Sequence, residues 1–181
     1  MKRKTRDFIQ HLSHDLDEDD EGRAQQLLEE SLPLVGLVVM YFNRLEKAID
    51  SAICGAISDR SDSTGLLVIH GMQYTSKVDL YKRLCNDLHG SEADGVTSYG
   101  HLIDRLTEVG KLRNLVVHAD WDNTDAEGYT YVRLRLTKRG MKQEYVQFTL
   151  ESMEKVIEQI QAVHEQFDQY LSDCENFLRN A

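Results

Sequence analysis

The chain has 181 residues, 41% of them hydrophobic and 29% charged, which favours one domain with a real core and excludes an intrinsically disordered chain. A formal net charge of −10 excludes broad, non-specific nucleic-acid binding, which needs an excess of Lys and Arg, but leaves room for a local basic cleft.

In chain order, residues 1–22 read as a charged tail. Lys2, Arg3, Lys4 and Arg6 come first and the acidic run from Asp15 to Glu21 follows; blocks of like charge repel themselves and stay solvated. The basic start lacks the apolar stretch of a signal peptide. One domain is expected over residues 23–181. It opens with a long helix from about Arg23 to Ile57, where Val38, Phe42, Leu45, Ile49, Ile53 and Ile57 recur at steps of three and four, the mark of one buried face. Pro33 is expected at a helix start or a kink. The longest near-apolar run, Leu32 to Phe42, is too short to span a bilayer.

Asp59 to Gly65 is turn-forming, and Leu66 to Met72 is a short apolar piece of open type. Thr75 or Ser76 caps the next helix, which carries Val78, Leu80, Tyr81 and Leu84 and stops near Gly90. After a polar loop over Ser91 to Ser98, a helix from about Tyr99 to Trp121 places Leu102, Leu106, Val109, Leu112 and Val116 on one side. Asp122 to Gly128 reads as a loop. Tyr129 to Leu136 and Tyr145 to Leu150 then alternate apolar and polar residues around Gly140, so a β-hairpin with one apolar face is expected at about 129–150. A last helix runs from about Glu151 to Leu178. The expected fold class is mainly all-α, a helical bundle with a hairpin inserted before the C-terminal helix. Cys54, Cys85 and Cys174 are odd in number and widely spaced. They form neither a metal-ligand pair nor a disulfide framework, so a reducing, cytoplasmic setting is expected, with no membrane span.

The residues that stand out are Arg113-Asn114-Leu115-Val116-Val117-His118. On a helix, Asn114 and His118 lie one turn apart on one face. Arg113 falls in the apolar sector with Leu102, Leu106, Val109 and Val117. A guanidinium there cannot shed its charge and must find partners. Two readings stay open. Arg113 makes a structural ion pair with Glu46 or another carboxylate and His118 meets helix-terminal carbonyls, or the residues do chemistry. Arg6-Asp7-Phe8-Ile9-Gln10-His11 has the same spacing but lies in the charged tail.

An Arg, a polar residue, three more residues and a His resembles the active-site motif of the HEPN ribonuclease superfamily. The order of elements is similar too: a long early helix, here with Phe42-Asn43-Arg44-Leu45-Glu46, a middle helix and a motif-bearing helix, a loose similarity over residues 34–180. The resemblance implies a HEPN-like bundle that cleaves RNA without a metal or other cofactor, as a toxin or phage-defence component. His118 would move protons, Arg113 would hold the phosphate and Asn114 would orient His118 or the ribose. It also implies a twofold homodimer, with two motifs facing one cleft, and an antitoxin or other protein partner. Toxins of one subfamily carry a Tyr two residues after the His; here Asp120 stands there, so control by modifying that Tyr is not expected. Two alternatives are an inactive dimeric module that binds RNA or a protein, and a plain helical interaction domain.

The hairpin offers a second candidate. Arg133, Arg135, Lys138, Arg139 and Lys142 put five cations in ten residues, with Tyr129 and Tyr131 on the strand face of Arg133 and Arg135. Cations with aromatics suit single-stranded RNA; the competing reading is a solvated hairpin face. Lys77 and Asp79 read as ordinary helix surface.

Overall fold

The computed structural model describes residues 1–8, 18–58, 60–89 and 99–180, with side chains described except at 18–19, 88–89 and 177–180. Among them are strand β1 (Arg3–Asp7), helices α1 (Glu18–Ile57), α2 (Ser63–Ile69), α3 (Tyr74–His89) and α4 (Tyr99–Val117), strands β2 (Asp120–Thr124), β3 (Tyr129–Thr137) and β4 (Gly140–Gln147), and helix α5 (Leu150–Asn180). The protein is mainly helical, and its strands form one antiparallel sheet in the order β1-β4-β3-β2. The chain divides into two compact units: residues 1–39 with 113–157, and residues 40–112 with 158–181.

In the first unit the expected hairpin is present as β3–β4, but it is the middle of a sheet. The presumed tail supplies one edge: Arg3 to Asp7 pair with Val146 to Lys142. Four of its five residues stay exposed, but its charges are paired: Arg3 with Glu144, Lys4 and Arg6 with Asp125, and Asp7 with Lys142. The other edge is β2, in a segment whose polar composition reads as loop. Here Trp121 donates Nε1–H to the Val116 carbonyl at 3.0 Å and stacks near Phe148, ring centres 5.0 Å apart. That contact draws the chain out of helix at Val117, four residues before the expected end. The β2–β3 turn is held by the Asp125 carboxylate, which accepts from the N–H groups of Glu127 and Tyr129 at 3.1 and 2.9 Å. It closes at Gly128, where φ is +81°, a conformation most L-residues avoid.

A bulge decides which hairpin residues are inside. Tyr131 pairs with Tyr145, yet Arg133 pairs with Glu144, so Val132 is an extra residue on β3. Tyr145 and Glu144 are consecutive and point to opposite faces. Tyr131 therefore lies on the face away from Arg133 and Arg135, which corrects the expectation that they share one. The same shift leaves Thr130 and Val146 fully buried while Leu134 is 41% and Leu136 80% exposed; the expected apolar stripe is broken at the bulge.

In the second unit Phe42, Leu45, Ile49 and Ile53 of α1 are buried, as are Val78, Tyr81 and Cys85 of α3 and Ile160, Val163 and Phe167 of α5, in the helical spacing read from the sequence. Pro33, in the first unit's part of α1, lies inside that helix. Lys77 is not ordinary surface. It is buried and donates to Glu46 Oε1 at 2.8 Å and Asp50 Oδ2 at 2.9 Å, two carboxylates one turn apart on α1.

Candidate functional site

Arg113, Asn114 and His118 all belong to the first unit, at the C-terminal end of α4. Arg113 is half-buried and Asn114 exposed. The Arg113 guanidinium donates through Nη1 to Asn114 Oδ1 at 3.0 Å, so the amide steers the cation. His118 lies one residue past the last helical position. Its backbone N–H still reaches the Asn114 carbonyl at 3.1 Å, and its side chain is exposed. The end of the helix thus carries a hydrogen-bonded cation and, five residues on, a solvent-accessible imidazole. These groups can hold an anion and move a proton. Glu46, the expected ion-pair partner of Arg113, gives its Oε1 to Lys77.

Two residues beyond His118, Asp120 opens β2 opposite Tyr131. Its carboxylate accepts from Asn123 Nδ2 at 2.7 Å. Burial first, and the Asp120 charge second, push the Tyr131 hydroxyl pKa above its ordinary value. A negative charge therefore stands close to the sheet side of the motif.

The basic hairpin residues divide into two groups. Lys138 and Arg139 form the exposed β3–β4 turn, where Thr137 Oγ1 donates to the Gly140 carbonyl at 2.8 Å. Arg133 and Arg135 each place Nε 2.7 Å from Glu144 Oε2. From β1, Arg3 Nη1 reaches the other oxygen of Glu144 at 2.9 Å. Three guanidinium groups thus surround one buried carboxylate. Arg133 chiefly, helped by Arg135 and Arg3 and against the effect of burial, holds the Glu144 carboxyl below the usual carboxylate range. On the opposite face Lys4 pairs with Asp125 and lies 3.8 Å from the centre of the Tyr129 ring, and Arg6 lies over Tyr145 at 5.4 Å. Burial opposes ionisation of Asp125, but Lys4 and the Tyr129 and Glu127 N–H groups outweigh it and lower its pKa.

Arg3, Lys4 and Arg6 were not singled out by sequence reasoning. The only signal was the proximity of four cations to one another, which reads equally as a tail. Among the described residues no group of three His, Cys, Asp or Glu side chains is placed to hold a metal ion, and no helix is long and apolar enough to cross a membrane. No protein-family model matches the chain, and neither a curated protein nor a solved structure similar to it was found.

Proposed function

We propose that the protein is a metal-independent endoribonuclease of the HEPN type, acting as a homodimer in toxin or defence biology. The observation that carries this reading is the end of α4, where Asn114 holds Arg113 and His118 lies exposed one turn beyond Asn114. In the reaction the ribose 2′-oxygen attacks the adjacent phosphorus and the bond to the 5′-oxygen of the next nucleotide breaks. The products are a 2′,3′-cyclic phosphate and a 5′-hydroxyl. Arg113 offsets the charge that grows on the phosphoryl oxygens. His118 takes the 2′-hydroxyl proton, and His118 of the second copy gives one to the leaving oxygen. One imidazole cannot do both jobs at once, so the reading calls for two motifs in one cleft.

The test is incubation of the purified protein with mixed single-stranded and structured RNA in the presence of a chelator, beside Arg113→Ala and His118→Ala. Cleavage to cyclic phosphate ends that both substitutions reduce by at least about 100-fold is the expected result. No cleavage by a well-folded dimer refutes catalysis. The second reading, an RNA-binding module that does not cut, is favoured by one separate observation, the cations gathered on the sheet.

A further inference from the structure

The charge of this protein is segregated. Nine of its 21 Lys and Arg lie in residues 1–8 and 129–147, beside only two acids, Asp7 and Glu144. These segments carry +7, while the remaining 12 cations and 29 acids give the rest of the chain −17. In sequence the two basic segments are more than 100 residues apart. The sheet makes them neighbours, because β1 pairs with β4 and β4 with β3.

On one face of that sheet Arg3, Arg133 and Arg135 converge on Glu144, and Lys142 follows on the same face at the next pair, 3.6 Å from the exposed Asp7 carboxylate of β1. One carboxylate cancels one of the three guanidinium charges. The three arginine side chains remain 53–54% exposed, so each guanidinium is held in place yet open to solvent. Holding the forks in advance reduces the side-chain entropy lost on binding an anion. Lys138 and Arg139 extend the basic surface to the turn.

We infer that this three-stranded face binds the phosphate backbone of single-stranded RNA. Same-face residues recur about every 7 Å along a strand, a step comparable with that between successive phosphates of an extended strand, and Arg133 and Arg135 occupy consecutive same-face positions on β3. A lipid surface would ask for apolar side chains among the cations, but Leu134 and Leu136 lie on the opposite face. The sequence-independent charge contact suits a polyanion rather than base reading. Only the choice of RNA as the polyanion rests on the proposed function; the binding surface itself stands on the charge and the register.

The test is fluorescence anisotropy with a labelled 20-nucleotide 2′-O-methylated RNA, which cannot be cut through its 2′-oxygen, between 50 and 200 mM salt. The samples are the parent, Lys138→Gln/Arg139→Gln in the exposed turn, and Arg133→Gln/Arg135→Gln/Glu144→Gln, which leaves no unpaired buried carboxylate. The parent binds with an affinity that falls steeply with salt. The turn variant is weakened on the order of tenfold at 50 mM salt, with a log–log salt slope shallower by about 0.7 per lost contact. The triple variant is weakened similarly. Failure of the parent to bind, equal binding by the turn variant, or tighter binding to polyglutamate or anionic vesicles than to RNA overturns the inference. Binding as expected without cleavage of unmodified RNA overturns only the catalytic reading.

Discussion

Replacing Glu144 by Gln keeps the size of the side chain and removes its charge from among three guanidinium groups. A hydrogen bond to a charged group is worth about 1.5–3 kcal/mol when well shielded. Here each arginine is more than half exposed, so solvent screening reduces each contact to roughly 0.2–1 kcal/mol. The amide oxygen still accepts from one guanidinium, so two contacts are lost and the expected loss is about 0.4–2 kcal/mol. For a chain of this size that is a fall in Tm of about 1–8 °C. The pH dependence has a definite sign. The folded-state pKa of Glu144 lies below its ordinary value, so its contribution is complete above the normal carboxylate range. It disappears as pH falls through the depressed folded value. The gap between parent and Glu144→Gln therefore narrows between pH 7 and about pH 3. Urea unfolding followed by fluorescence reads this directly, because Trp121, the chain's one Trp, belongs to the same unit. Guanidinium chloride would screen the contacts under study. A Glu144→Gln protein as stable as the parent at pH 7, or a gap that persists undiminished in acid, refutes the account of the cluster.

Lys77→Met removes the ammonium between Glu46 and Asp50. It is expected to cost about 2–3 kcal/mol, less than for a fully buried pair because both carboxylates keep some solvent. Adding Glu46→Gln and Asp50→Asn should recover most of that loss in thermal melts followed by circular dichroism. Gly128→Ala places a Cβ 3.1 Å from the Phe148 carbonyl oxygen at a φ of +81°. A Tm loss equivalent to about 1–2 kcal/mol is expected from the left-handed conformation alone.

What the sequence revealed depended on distance along the chain. Periodic burial on α1 and α5 was legible because neighbours three and four residues apart carry the signal. The first hairpin strand was legible for the same local reason; the second, expected over Tyr145–Leu150, runs over Gly140–Gln147, because the polar Lys142 and Gln143 hide its start, and the bulge was not legible. Val132 continues the alternation in composition and only its pairing against Tyr145 and Glu144 shows it to be extra. β1 was hidden because its partners lie in residues 142–146 and its pattern is charge rather than apolar repeat. β2, Asp-Trp-Asp-Asn-Thr, has the composition of a loop and becomes a strand through the anchoring of Trp121 on Val116 and Phe148. At the candidate site, the one-turn spacing of Asn114 and His118 could be read from helix geometry. The hydrogen bond between Arg113 and its neighbour Asn114, and the helix ending just before His118, depended on rotamer choice and on β2.

The pairing of β1 with β4 also sets an order of events during synthesis. Arg3 finds Glu144 across 141 positions of chain, so the strand emerges from the ribosome long before its partner. At typical elongation rates the wait is roughly 7–30 s. Through that interval the nascent segment is an unpaired edge in search of a ladder, the kind of element that recruits other chains. Its three cations within five residues discourage such pairing by repulsion between copies. The charges that serve the folded sheet thus guard the unfinished chain, and a charge-free β1 would be exposed to aggregation during translation even if the completed fold tolerated it.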